Sequence, residues 1–238
     1  MGEARGFARY LRTIDPVTEI PPTGIWPSTA PRAIPYIWTD TEIGALLEST
    51  SRLSPLRAVT HRTLFGLLAA TGMRVGEAMG LDRGDVELDG GVVTIRDGKF
   101  GRSRLVPLHA STSAALRSYA AHRDRLCPAA TSMTFFVSTA GTALRPGGVR
   151  STFIDLTTGI GLRTATVRPR VHDLRHTFAV RTLIDWHRSG VDIDGRLPVL
   201  STYLGHVNPA GTYWYLSAVP ELMQLVAERL VAGFEVPQ

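Results

Sequence analysis

A mainly helical domain carrying one small antiparallel sheet, an α+β class, is what this sequence predicts, on three observations. Apolar residues recur at helical spacing between marked ends from Thr39 to Leu81. One stretch, Val86 to Pro107, switches to short apolar runs cut by Gly90-Gly91, Asp97-Gly98 and Gly101. Helical patterns then return and persist to about position 232. The compact domain is expected over 39–238, with 1–38 as an N-terminal remnant and proline-rich linker.

Residues 1–13 have room for a helical turn or two, but Pro16, Pro21, Pro22, Pro27, Pro31 and Pro35 follow. Proline at that density breaks helices and reads as an extended connector. Thr39 can cap a helix, and Glu42, three residues on, completes a capping box ahead of Ile43, Leu46 and Leu47. A second helix is expected from Pro55 to Ala70, with Leu64, Leu67 and Leu68 on one stripe and Gly72 as its C-terminal stop. A short helix spans Arg74 to Leu81.

The sheet follows as 86–88, 92–96 and 103–107, which puts Lys99 at a hairpin tip. Helices are expected at 111–126, 146–158, 173–187, 196–204, 209–217 and 220–232. There is no internal repeat.

The formal charge is +5, and of 26 basic residues only Lys99 is lysine. A basic surface favours a polyanionic partner without proving one. Arginine stays protonated, whereas lysine can release a proton, so Lys99 is a candidate acid; the alternative is an exposed turn that simply kept it. Cys127 is the only cysteine, which excludes an intrachain disulfide and suits a reducing compartment. The first twenty residues lack an apolar signal core, and no apolar run approaches membrane-spanning length. A cytoplasmic protein with no membrane partner is the expectation.

The chemistry-bearing residues cluster in the last third. His172 and Arg175 lie three apart at the start of a predicted helix, hence on one face, with Leu174 and Phe178 on the other. His206 follows Leu204-Gly205, and Tyr215 stands nine residues beyond it. Asn208-Pro209 can start a new helix after His206, which lets His206 and Tyr215 reach one pocket. Cationic donors, a phenolic nucleophile and proton carriers suit reaction at a phosphodiester. Arg74 at a helix start, with Glu77 one turn on, can add a second oriented guanidinium.

His172 and His176 at i and i+4 could ligate zinc, but no glutamate of a His-Glu-x-x-His motif and no third ligand cluster accompany them. His176 therefore reads as structural. A lone Tyr203, Tyr213 or Tyr215 would read as a core tyrosine.

Thr71-Gly-Met-Arg74-Val-Gly-Glu77-Ala, Lys99, His172-x-x-Arg175, Leu204-Gly-His206 and Tyr215 together resemble the catalytic domain of the tyrosine recombinases, the phage-integrase family, in the family's order. The resemblance implies a mainly helical catalytic domain with a small sheet, acting on double-stranded DNA with neither cofactor nor metal. It implies Tyr215 as nucleophile, making a 3′-phosphotyrosyl link and freeing a 5′-hydroxyl. Arg74 and Arg175 would clamp the non-bridging oxygens and His206 would donate to the developing charge. His172 would assist deprotonation of Tyr215, and Lys99 would protonate the leaving oxygen. The family's spacing from the histidine selects Tyr215 over Tyr213, and Tyr213-Trp-Tyr-Leu-Ser-Ala resembles a branch carried by mobile elements.

Self-association on DNA is implied as well. The family's N-terminal core-binding domain is expected to be largely missing here, so a partner recombinase or an N-terminal domain supplied in trans is a further expectation. Two other readings stand beside this one: a type IB topoisomerase-like nicking and resealing enzyme, and a non-catalytic accessory or inhibitor that only binds DNA.

Overall fold

A computed structural model describes residues 2–22, 35–98, 102–205 and 215. The chain divides into two units, 1–34 and 35–238. In the first, helix α1 runs Gly2–Ile14, longer than the turn or two expected. The Asp15 carboxylate accepts from the Val17 amide just beyond it.

In the second unit, α2 (Asp40–Ser49) starts at the foreseen capping box. The Thr39 hydroxyl accepts from the Glu42 amide at 3.2 Å, and the Glu42 carboxylate accepts from the Thr39 amide at 2.8 Å. The two bonds satisfy amides that a helix start leaves without partners. Tyr36 donates its hydroxyl to the same carboxylate. Helix α3 (Pro55–Thr71) begins with proline in its first turn and buries Leu64, Phe65, Leu67 and Leu68. Helix α4 (Val75–Met79) follows directly, shorter than the span expected from 74 to 81.

Strands β1 (Val86–Glu87), β2 (Val92–Gly98) and β3 (Arg102–Pro107) form one antiparallel sheet in the order β1-β2-β3. Val93 opposes Val106 and Ile95 opposes Arg104, with a register irregularity between Ile95 and Gly98. Helices α5 (Ala110–Leu126), α6 (Pro146–Gly159), α7 (Asp173–Arg188) and α8 (Ile193–Leu204) complete the described fold. The α8 start lies earlier than expected, so Pro198 falls inside the helix rather than near its first turn. The helices expected at 209–217 and 220–232 lie outside the described residues, apart from Tyr215.

The main core is aromatic at its centre. Phe153 of α6 meets Trp38 and Phe65 edge-on at 5.8 and 5.4 Å between ring centres. A second apolar cluster joins α7 to α8 through Ala179, Val180, Leu183, Leu197, Leu200 and Leu204, and the ring of Tyr215 is buried in it. The Trp38 amide donates to the Thr177 hydroxyl at 3.0 Å, and Arg181 donates to the Trp38 carbonyl, so the segment before α2 is tied to α7.

Two glycines with left-handed backbone close α3 and α8. Gly72 ends α3 at φ 61°, and a side chain there would press into the Phe178 ring at 2.5 Å. Gly205 ends α8 at φ 69°, and a side chain there would meet the Arg104 guanidinium at 2.7 Å. Both positions need glycine for the backbone and for the space.

Candidate active site

Two helix C-termini form the back of the site. The last carbonyls of a helix lack partners and carry the negative end of its dipole, so they attract cations. Arg175 donates from Nη1 to the Gly72 carbonyl at 2.9 Å and from Nη2 to the Leu204 carbonyl at 2.7 Å, bridging the ends of α3 and α8. It is only 2% exposed. Burial and the neighbouring Arg74 pull its pKa down to about 10, against the support of Tyr215 and Glu77, so it remains a cation at neutral pH.

Arg74 caps the start of α4. Its Nη1 donates to Glu77 at 2.7 Å, and its Nη2 donates to the Gly205 carbonyl at 2.8 Å. The expected role of Glu77 as an orienting group is what the geometry displays. The same carboxylate also receives both Nη atoms of Arg104, at 3.0 and 2.7 Å, and the Arg74 amide at 2.9 Å. Burial alone would raise the Glu77 carboxyl, but the Arg104 hydrogen bonds, the Arg74 amide, the Arg104 charge and the Arg74 side-chain hydrogen bond outweigh it and hold it at about 2.

Arg104 was not singled out from the sequence, and a signal for it existed. It lies two residues before Val106 on β3, opposite Ile95, and therefore on the inward face of the strand. A nearly buried arginine there requires an acid, and Glu77 is that acid. Arg104 also donates from Nε to the Tyr203 carbonyl at 2.9 Å, linking the sheet to the end of α8.

The first turns of α7 correct the expected split of faces. His172 is exposed, while Arg175 is as buried as Leu174, because α7 is packed on both sides there. His172 lines an open cleft of about 510 Å³ together with Arg74, Glu77, Asp85 and Arg96. Crowding by protein atoms, then Arg175, Arg170 and Arg74, push its pKa down to about 4 against the pull of Asp173. The imidazole is neutral at pH 7.

Tyr215 is 2% exposed and its hydroxyl lies 3.0 Å from Nδ1 of His176. The His176 ring also meets the His172 ring edge-on at 4.6 Å. The structure thus brings Arg74, His172, Arg175 and Tyr215 into one region. Lys99 and His206 lie outside the described residues, immediately after β2 and after Gly205. Among the described residues no three His, Cys, Asp or Glu side chains form a group able to hold a metal ion, and no helix is long and apolar enough to cross a membrane.

Two fixed guanidinium groups with a phenol beside them form the polar centre of this helical domain. Residues 38–221 match the phage integrase family, and the chain belongs to it. It is 46% identical over 244 residues to a protein of Sinorhizobium fredii (strain NBRC 101917 / NGR234) provisionally named integrase/recombinase y4rB, covering 99% of this chain and 78% of that one. It is 27% identical to the tyrosine recombinase XerC of Pelotomaculum thermopropionicum, over 93% of this chain and 70% of the relative. Among solved structures, the XerA recombinase superposes with TM-score 0.66 at 25% identity, covering 91% of this chain and 70% of that chain. A lambda integrase dimer bound to a core site shares the fold, with TM-score 0.60 at 18% identity, over 89% and 57%. The mainly helical fold with its small sheet is the tyrosine recombinase catalytic fold.

Proposed function

We propose that this protein breaks and rejoins double-stranded DNA at specific sites through a 3′-phosphotyrosyl link formed by Tyr215, and that it does so as a self-associated recombinase assembly. The observation that carries the proposal is the pair of guanidinium groups, Arg74 and Arg175, held from behind by carbonyls of Gly205, Gly72 and Leu204. Groups already fixed before substrate arrives cost no reorganisation during reaction, and that is where electrostatic catalysis gains most.

Arg74 and Arg175 receive the non-bridging oxygens, and the Tyr215 oxygen attacks phosphorus in line with the 5′ oxygen. Lys99 protonates the leaving 5′ oxygen, and His206 donates to the developing charge. His172, on the open cleft beside Arg74, faces the DNA side of the site. The covalent link stores the diester energy, so no ATP or metal enters the scheme; another strand's 5′-hydroxyl reverses the attack.

Nicked suicide duplexes built from the sequences flanking the gene provide the test. Wild type is expected to trap a covalent protein–DNA adduct that Tyr215→Phe does not form. No adduct on any of these duplexes, or one that persists in Tyr215→Phe, overturns the proposal. Relaxation of supercoiled plasmid without strand exchange would move the reading to a topoisomerase-like enzyme.

A further inference from the structure

The sequence reads His176 as a structural residue, and the family resemblance gives His172 the task of activating Tyr215. The contacts divide the two histidines differently. His176 meets the reacting oxygen, with Nδ1 3.0 Å from the Tyr215 hydroxyl, and both side chains are buried. His172 lines the open cleft with Arg74 and Arg96. A general base must stand within hydrogen-bond reach of the proton it takes, and geometry is the first criterion.

Resting on the phosphotyrosyl reading above, we propose that His176 is a catalytic residue: it docks Tyr215 and accepts the phenol proton at Nδ1 as the phenol attacks. The Tyr215 O–H bond breaks as Nδ1–H forms, the phenol oxygen bonds to phosphorus, and the bond from phosphorus to the 5′ oxygen breaks. That oxygen takes its proton from the acid assigned to Lys99. On rejoining, the imidazolium returns its proton to the departing Tyr215 oxygen, so no net proton is lost over the cycle.

Three features suit this role. The imidazolium and phenolate form together as a neutral pair, so the transfer adds no net charge to a buried site that already contains Arg175. Arg175 is the adjacent residue of α7, and it senses Tyr215 electrostatically, so the guanidinium that receives phosphate also favours the phenolate. The titratable groups that meet His176 include His172, the residue just before α7, and Tyr215. His172 lines the open cleft with Arg74 and Arg96, which leaves the contact with the phenol oxygen to His176.

His176→Asn keeps a hydrogen-bond acceptor near the position of Nδ1 but cannot take a proton, and His176→Gln is a second such variant with a longer reach. Single-turnover cleavage of the nicked duplexes is read against pH. Both variants are expected to bind the duplex as wild type does and to cleave about 10²- to 10⁴-fold more slowly at neutral pH. Their rates are expected to climb about tenfold per pH unit where wild type is flat, because free phenol must then ionise unaided.

In wild type without DNA, ring-¹⁵N histidine spectra assigned by comparison with His176→Asn are expected to show Nδ1 unprotonated at neutral pH, its signal moving in Tyr215→Phe. A variant that binds and cleaves like wild type with an unchanged pH profile overturns the His176 role alone, as does a wild-type spectrum with the proton on Nδ1. Absence of any Tyr215-dependent adduct in wild type overturns the phosphotyrosyl reading and this role with it.

Discussion

The Arg74–Glu77 half of the site and the Tyr215 half are held together by different physics. Around Glu77, two guanidinium groups, a backbone amide and the carbonyls of Tyr203 and Gly205 form a closed polar network. Around Tyr215, the packing is apolar, from Leu183, Leu197, Leu200 and Leu204, with the His176 hydrogen bond at the ring's polar end. A polar network is directional and fixes charge in place. An apolar pocket with one polar tether holds a ring by burial, with a single directional bond at its hydroxyl. On the function proposed above, the first kind of support suits the cations and the second suits the attacking ring.

Arg175 belongs to both halves, so its removal is expected to have the largest effect. Arg175→Ala leaves the Gly72 and Leu204 carbonyls unpartnered at two buried helix ends, and it should lower unfolding free energy by about 3–5 kcal/mol in urea titrations. Arg175→Lys retains a charge but loses the planar fork. It should fold better than Arg175→Ala and still cut adduct formation by about 10²-fold or more. Full cleavage by the lysine variant would mean that charge alone, without the bridging geometry, suffices.

Next in size is Leu183→Ala in the apolar half, which should cost about 2–5 kcal/mol through lost burial and the cavity left behind. This loss should be nearly independent of pH, because no titratable partner is involved. Glu77→Gln in the polar half should cost less, about 2 kcal/mol near neutrality, and its cost should depend on pH. The folded carboxyl titrates near 2, below its ordinary 4.5. Its stabilisation is therefore complete above pH 4.5 and fades as pH falls towards 2. Melting curves taken across that range should converge for wild type and Glu77→Gln while the Leu183→Ala gap stays constant. A constant gap for Glu77→Gln would show that the two halves do not differ in the way described.

Much of this was legible locally. The capping box at Thr39, the proline start of α3, the glycine stops at 72 and 205, and the three short strands each depend on residues close in sequence, where turn and cap chemistry decides the outcome. The pairing of Arg74 with Glu77 was legible for the same reason, being one helical turn. The pairing of Arg104 was not, because strand alternation places it on the inward face of β3 but its acid lies 27 residues away. The contact of His176 with Tyr215 was equally hidden, because the two residues are 39 apart, across α8 and the residues beyond it.

By itself, the sequence determined the class of fold, the order of the described helices and strands, and the residue types available to the candidate site, since periodicity, caps and motif spacing are properties of the local chain. Only the tertiary structure decided which carbonyls fix Arg74 and Arg175, that Glu77 serves two arginines, and which of two neighbouring histidines touches Tyr215. Those choices depend on how the ends of α3 and α8 approach α7 and β3, and that approach is set by burial of side chains far apart in sequence.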